Sequence, residues 1–184
     1  MKKLFPLILM GLGLAFLVGG GYATVRGFDA RAQVRQELLA QNITTPEDAS
    51  IPNARVDDVA TAKSMADIIN THATESTGGL TYAEMHRFMT PDGDPAGTDD
   101  PELAVKDANG KPVANPMRNV AFQASALRTS LYSSVMAFEV STLVVGIGAL
   151  LAALGLAVGG VGVALAGLAV PKLAERLHVQ PVAA

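Results

Sequence analysis

Two histidines and a glutamate that could bind a metal ion lie in one short stretch of the sequence. His72 and Glu75 fall within ADIINTHATESTGGLTYAEM, residues 66–85, and His86 follows directly. If this stretch begins as a helix, His72 and Glu75 share one face because they are three residues apart. A catalytic zinc or iron centre needs at least three protein ligands. His86 can join the pair only through a tight turn at Gly78-Gly79, so we favour surface roles for all three residues.

A cluster of acids between residues 92 and 102 raises a second possibility, a calcium site, because calcium prefers clustered oxygen ligands. Counted from Asp92, the fifth position of an EF-hand loop is Ala96 and the twelfth is Leu103, where oxygen ligands are required. The surrounding segment 89–116 is rich in proline and glycine. We therefore predict an exposed, flexible loop and no calcium site.

The rest of the composition argues against catalysis. The chain contains no cysteine, which excludes disulfides, thiolate metal sites and cysteine nucleophiles. It also lacks a Walker-type glycine loop, a supported Ser-His-Asp set and a nucleophile elbow. We predict no catalytic residue and no cofactor.

Two uncharged apolar runs dominate the rest of the chain, Leu4 to Val25 and Val140 to Val170. Each exceeds the roughly 20 residues that an α-helix needs to cross a bilayer. The first run is too long for a cleavable signal, whose apolar region is about 7 to 15 residues. We interpret it as an uncleaved signal-anchor, although the basic start and the small residues near Ala23 leave a cleaved signal as the alternative.

Basic residues that flank membrane spans remain on the cytoplasmic side. Lys2 and Lys3 precede the first run, and Lys172 and Arg176 follow the second. We predict a plasma-membrane protein with both termini in the cytoplasm and the segment between the spans outside it. That segment holds ten Lys and Arg against sixteen Asp and Glu, so it offers no basic surface for nucleic acid.

The predicted fold is mainly α. Its parts are a transmembrane helix over 1–25, an extracytoplasmic helical domain over 26–139 that includes the loop 89–116, a second transmembrane helix over 140–170, and a cytoplasmic tail over 171–184. Two apolar stripes at helical spacing predict which parts of the domain pack together. They are Val59, Ala62, Ala66, Ile69 and Ala73 on one segment, and Val120, Ala124, Leu127, Leu131, Val135 and Phe138 on the other.

Small residues recur along both spans and predict close helix contacts, because small side chains let membrane helices approach each other. The predicted packing positions are Gly11, Ala15, Gly19 and Ala23 on the first helix, and Gly148, Ala152, Gly155 and Gly159 on the second.

Glu139 is an acid at the start of the second apolar run, where an unpaired carboxylate is costly. If the two long helices are antiparallel and their cytoplasmic ends are level, Glu139 lies opposite Arg35, with Arg31 one turn below. If their outer membrane boundaries are level instead, Arg26 is the neighbour. We predict an ion pair between the helices, with a solvated acid among the lipid headgroups as the alternative.

The stretch DIINTHATESTGGLTYAEM, the later ASALRTSLYSSVMAF and the glycine-rich span resemble a family of small actinobacterial two-span membrane proteins of unknown function. The resemblance covers Ala66 to Met85 and Asn119 to Leu151. Family members often have the label aromatic ring-opening dioxygenase, which implies a soluble cytoplasmic enzyme with iron bound by two histidines and a carboxylate. We reject that label for this chain, because it offers no convincing third ligand and its central segment is predicted to lie outside.

The sequence has no convincing catalytic or metal-binding pattern, and both spans carry small residues suited to helix packing. Together these observations favour a non-catalytic membrane protein that is an accessory or scaffolding subunit of a larger cell-envelope or respiratory assembly. The expected partners are the lipid bilayer and other membrane protein subunits. One alternative is an extracytoplasmic sensor or a module that binds a small ligand or metal ion. A weaker alternative is a metal-dependent enzyme.

Overall fold

A computed structural model describes residues 4–178 of the chain, with only the backbone described for residues 168–178. The described part is mainly helical, as the sequence predicts. Helix α1 spans Leu4–Ala40, α2 spans Val59–Ser76, a 3₁₀ turn spans Tyr82–Glu84, and α3 spans Pro116–His178. Only isolated β-bridges, and no strands, occur within these residues.

Two of the helices are long and apolar enough to cross a membrane, α1 and the part of α3 that covers Pro116–Gly167. In their most apolar stretches only 17% and 11% of the residues are buried within the chain. Lys2 and Lys3, the basic residues before the first span that help to predict the orientation, lie outside the described residues. The side chains of Lys172 and Arg176 are likewise not described.

Neither predicted membrane boundary is a helix end, since α1 continues past Val25 to Ala40 and α3 begins well before Val140. Asn42, which has a positive φ of 53°, follows the end of α1. Asn115 caps the start of α3, where its Oδ1 accepts a hydrogen bond from the Met117 N–H at 3.0 Å. Pro116 suits the first helical position because it has no N–H that would need a partner.

The chain divides into two units. The first, here called the hairpin unit, comprises Met1–Ala32 and Glu139–Ala184. The second, the central unit, comprises Gln33–Phe138.

The hairpin unit is held together by glycines seven residues apart on both helices. Gly13, Gly20 and Gly27 are buried on α1, and a Cβ added to any of them would overlap α3. A Cβ on Gly13 would lie 2.5 Å from the Gly159 Cα and 2.7 Å from the Gly155 carbonyl oxygen. The facing residues on α3 repeat every seven positions as well: Ser141, Gly148, Gly155 and Gly162. The contacts run in opposite chain directions, so the two helices are antiparallel.

The predicted stripe on α1 is not the face that packs against α3. A Cβ on Gly11 or Gly19 would meet nothing within 4 Å, Ala15 is exposed and Ala23 is half-buried. The reason is geometric: at 3.6 residues per turn, a step of four drifts by about 40°, whereas a step of seven drifts by only about 20°. On α3, by contrast, Gly148, Ala152, Gly155 and Gly159 all lie at the contact with α1.

The central unit has a small core formed by α2 and the adjoining parts of α1 and α3. It brings the two predicted apolar stripes together, since Ala62 and Ala66 of α2 cluster with Leu131, Val135 and Phe138 of α3. Leu38 of α1 and Val56 complete the buried set. One predicted member differs: Leu127 is 55% exposed.

The predicted loop 89–116 contains no helix until Pro116, but hydrogen bonds fold it back on itself. The Val105 N–H donates to the Met89 carbonyl at 2.8 Å, and the Val113 N–H donates to the Val105 carbonyl at 2.8 Å. Gly110, with a φ of 75°, turns the chain between Asp107 and Lys111. The segment is irregular, and isolated β-bridges join Phe88 to Thr98 and to Ala114 within it.

Candidate functional site

The three metal-ligand candidates are not brought together. The His72 Nε2 lies 2.7 Å from the Asp48 Oδ2, and the His86 Nδ1 lies 3.0 Å from the Asp99 Oδ2. His86 lies after the 3₁₀ turn, not on a second helix. Glu75 is exposed in the last turn of α2. No group of three or more His, Asp or Glu side chains among the described residues is arranged to hold a metal ion.

Asp99 is the acid with the densest set of hydrogen bonds. It accepts one from the Arg87 backbone N–H at 3.1 Å, and its side chain also contacts the His86 ring and the Arg87 Nε. These bonds, the Arg87 backbone bond first, lower the pKa of Asp99 to about 2. Each favours the ionised carboxylate. The arrangement anchors a loop and leaves Asp99 as a poor proton donor or acceptor near neutral pH.

The other aspartates of the loop serve as turn formers. The Asp94 Oδ1 accepts a hydrogen bond from the Ala96 N–H, and the Asp100 Oδ1 accepts one from the Glu102 N–H, both at 2.9 Å. Asp107 does the same for the N–H groups of Asn109 and Lys111. Except for the bond from Lys111, these bonds come from the backbone two residues on, which is the ordinary use of Asp in turns.

Each of the three arginines proposed as partners of Glu139 makes a described contact with another residue. Arg35 binds the Asp57 Oδ2 through its Nη2 at 2.6 Å and its Nε at 3.0 Å. Arg26 lies 4.0 Å from Asp29. The Arg31 Nη1 donates to the Thr142 Oγ1 at 3.1 Å. Because Thr142 is three residues after Glu139 on α3, Arg31 is the candidate that lies on the same side of that helix.

A cavity of about 440 Å³ in the central unit was not predicted from the sequence. Its lining includes Tyr82, Arg87, Asn115, Arg118 and Phe122. The Arg118 guanidinium carbon lies 4.0 Å from the Tyr82 ring centroid, and its Nε donates to the Met85 carbonyl at 3.1 Å. The Tyr82 and Phe122 rings are 5.8 Å apart. Sequence patterns give no signal for this site because Tyr82 and Arg87 precede the irregular loop, whereas Arg118 and Phe122 follow it.

Buried Asn115 holds the walls of this cavity together. Its Nδ2 donates to the Pro95 carbonyl at 2.9 Å and to the His86 carbonyl at 3.3 Å, while its Oδ1 caps α3. One side chain thus joins the loop, the segment after the 3₁₀ turn and the start of α3.

A second depression, about 590 Å³, is mainly apolar and lies between the three helices of the central unit. Its lining includes Ile43, Met65, Ile69, Leu127 and Leu131. It extends the core cluster toward the surface, and Glu37, Gln41, Ser130 and Ser134 are the polar residues of its lining.

Comparison with known proteins identifies no relative of this chain: no family model, no curated protein and no solved structure matches it.

Proposed function

We propose that the protein is a non-catalytic integral membrane protein that serves as an accessory or scaffolding subunit of a larger cell-envelope or respiratory membrane assembly. Its two long helices cross the plasma membrane, and its central unit is the extracytoplasmic part.

The observation that supports this proposal best is the division of small residues on α1 into two sets. Gly13, Gly20 and Gly27 pack against α3, whereas Gly11 and Gly19 face open space. Glycine is a poor choice for a lipid-facing position, since it adds no apolar surface and is a weak helix former. Small residues on an outer face are instead typical of positions where another membrane helix approaches closely.

The rest of the hairpin unit is consistent with a subunit that works through its outer surface. The two helices are in direct contact through their buried glycines. Their large side chains point outward, and Leu14, Val18 and Leu150 are more than half exposed. This apolar surface requires lipid or other membrane helices as its cover.

The polar side chains of the central unit support the same conclusion. The described histidines each contact one carboxylate, and Asp94 and Asp100 of the loop cap turns. These groups are used for local structure, which favours a binding or scaffolding role over catalysis.

Affinity purification from native membranes in a mild detergent, followed by mass spectrometry, tests the proposal. We expect a discrete set of membrane proteins in stoichiometric amounts. Replacing Gly11 and Gly19 together with leucine should abolish that co-purification, while the purified variant itself remains folded. Gly21→Leu is the matched control, because Gly21 also faces open space but lies about 160° around α1 from Gly19.

Two results would contradict this function. One is a wild-type protein that purifies alone from native membranes. The other is a partner set that the double leucine variant retains in full, which would remove the exposed glycines from the interface.

A further inference from the structure

The cavity between Tyr82 and α3 has the chemistry of an anion site. Its lining contains two arginines, Arg87 and Arg118, two amides, Asn115 and Asn119, and no acidic residue. From these groups we propose that the cavity binds a phosphate-bearing ligand. This inference does not depend on the proposed subunit role, because it concerns the central unit alone.

Arg118 is the residue of this cavity whose charge has no described carboxylate beside it. It is half-buried, and its described contacts are to a neutral carbonyl, that of Met85, and to the face of the Tyr82 ring. No carboxylate contacts it among the described residues. A guanidinium that is partly removed from water without an opposite charge is unfavourable, and a bound anion supplies that charge.

The same contacts orient Arg118. Its Nε donates to the Met85 carbonyl, and its guanidinium carbon lies over the Tyr82 ring. Among the described contacts neither Nη group is used, so both are left to donate to a ligand, and a guanidinium can donate two parallel hydrogen bonds to the oxygens of a phosphate. Pre-orientation lowers the entropy that binding would otherwise cost.

Arg87 is a second, weaker contributor. Its Nε donates to the Asp99 Oδ1 at 3.1 Å, so part of its charge is balanced. The Nη donors have no partner among the described residues. Arg87 and Arg118 together offer more N–H donors than the Asp99 carboxylate can accept. A phosphate group presents three oxygens with high negative charge and could accept from both guanidiniums.

The location of the cavity adds to its attraction for anions. Pro116, Arg118 and Asn119 belong to the first turn of α3, where the helix dipole favours negative charge. Tyr82 and Phe122 provide an apolar wall on which a ring or a short hydrocarbon body can lie. The phosphate can belong to a soluble ester or to a lipid headgroup, since both present the same oxygens.

Titration of the full-length protein in a neutral detergent, observed by ³¹P NMR at constant ionic strength, tests the soluble source. The probes are inorganic phosphate and glycerol 3-phosphate. We expect saturable binding that Arg118→Gln removes and that Asn119→Asp weakens by about tenfold, because the new carboxylate faces the anion. Asn119 is exposed, and an acid in the first turn of a helix is favourable, so this variant should fold normally.

Two control variants match these changes. Asn70→Asp adds the same charge at an exposed position of α2 outside the cavity, and Arg128→Gln removes an arginine of α3 that does not line it. Both should bind phosphate as the wild type does.

Quantification of phospholipid in extracts of the purified protein tests the lipid source. A phospholipid that is retained by wild type and by Asn70→Asp, but depleted in Asn119→Asp, would identify a headgroup as the ligand. The proposal is overturned if neither the soluble probes nor a retained phospholipid shows any dependence on Asn119 or Arg118.

Discussion

Gly20 of α1 and Gly148 of α3 lie against each other with no room for a side chain on either residue. A Cβ on Gly20 would come 2.5 Å from the Gly148 carbonyl oxygen, and a Cβ on Gly148 would come 2.7 Å from the Gly20 carbonyl oxygen. Both obstacles are backbone atoms, which cannot rotate away as a side chain can. The two helices therefore have this spacing only because both positions are glycine.

Replacing Gly20 with alanine should consequently push the helices apart. Overpacking of this kind typically costs about 1 to 3 kcal/mol. We expect a loss of that size in the free energy of unfolding, measured by denaturant titration in mixed micelles.

Gly19→Ala is the matched control, because a Cβ there would meet nothing within 4 Å of the isolated chain. Its stability should be at least that of the wild type, since alanine is the better helix former. Equal losses in the two variants would show that the glycine contact does not limit the approach of α1 and α3.

Glu139 remains predicted to form an ion pair, and the position of Arg31 narrows the choice of partner. Arg31 contacts Thr142, one turn from Glu139, whereas Arg35 binds Asp57 and Arg26 is beside Asp29. We expect a double-mutant cycle of Arg31→Gln and Glu139→Gln to give a coupling energy of about 0.5 to 1 kcal/mol.

The control cycle pairs Glu139→Gln with Arg26→Gln. These two changes should be additive within about 0.5 kcal/mol, as for residues that do not interact. Coupling in the control cycle and none in the Arg31 cycle would identify Arg26 as the partner of Glu139.

The orientation in the membrane is predicted from the basic residues at both ends of the chain. A reporter enzyme that is active only outside the cytoplasm should give no signal when it is fused to either terminus. The same reporter inserted between Asn109 and Gly110, at an exposed turn of the central unit, should be active. A strong signal from the C-terminal fusion would require a different topology.

The start of α2 depends on one reciprocal cap. The Asp58 Oδ1 accepts a hydrogen bond from the Thr61 N–H at 2.8 Å, and the Thr61 Oγ1 accepts one from the Asp58 N–H at 3.2 Å. Asp58→Ala should destabilise the helix by about 1 kcal/mol, as N-cap substitutions do. Faster hydrogen exchange in the first turn of α2 would report the loss.

Glu75→Ala provides the comparison for that measurement, since Glu75 is exposed at the other end of the same helix. Exchange in the first turn should not change in this variant. Similar exchange in both variants would indicate that tertiary packing, and not the cap, determines where α2 begins.

The helices and the docking of α2 on α3 could be predicted because both follow from local periodicity. Val59, Ala62 and Ala66 recur at helical spacing, and an apolar stripe in water has to be covered. The glycine contact was harder to predict, because α1 contains small residues, glycine and alanine, at a spacing of four and glycines at a spacing of seven. Only the geometry of the antiparallel pair selects Gly13 over Gly11 as the buried position.

The cavity beside Tyr82 could not be predicted for a different reason. Tyr82 and Arg118 are separated by the loop 89–116, and no rule of spacing connects residues across an irregular segment. What joins them is a set of specific bonds from Asn115 and Arg118 to the carbonyls of Pro95 and Met85. Such bonds depend on the three-dimensional path of the loop, which local sequence does not determine.

The contacts of Asp99 predict how this loop responds to acid. Its pKa in the folded protein is about 2, below the ordinary value of 3.8, chiefly because it accepts the Arg87 N–H and contacts the His86 ring. A group whose pKa is lowered by folding stabilises the fold above its unfolded pKa. That stabilisation should be complete above about pH 4 and lost as the pH falls toward 2.

We expect the carboxyl carbon of Asp99 to titrate near pH 2 by NMR. The thermal stability of the central unit should decline over the same range, and the decline should be smaller in Asp99→Asn. Asp100→Asn is the matched control, because the Asp100 carboxylate caps Glu102 instead, and this variant should keep the wild-type acid response. An Asp99 midpoint close to 3.8 would mean that Arg87 and His86 do not hold this carboxylate in solution.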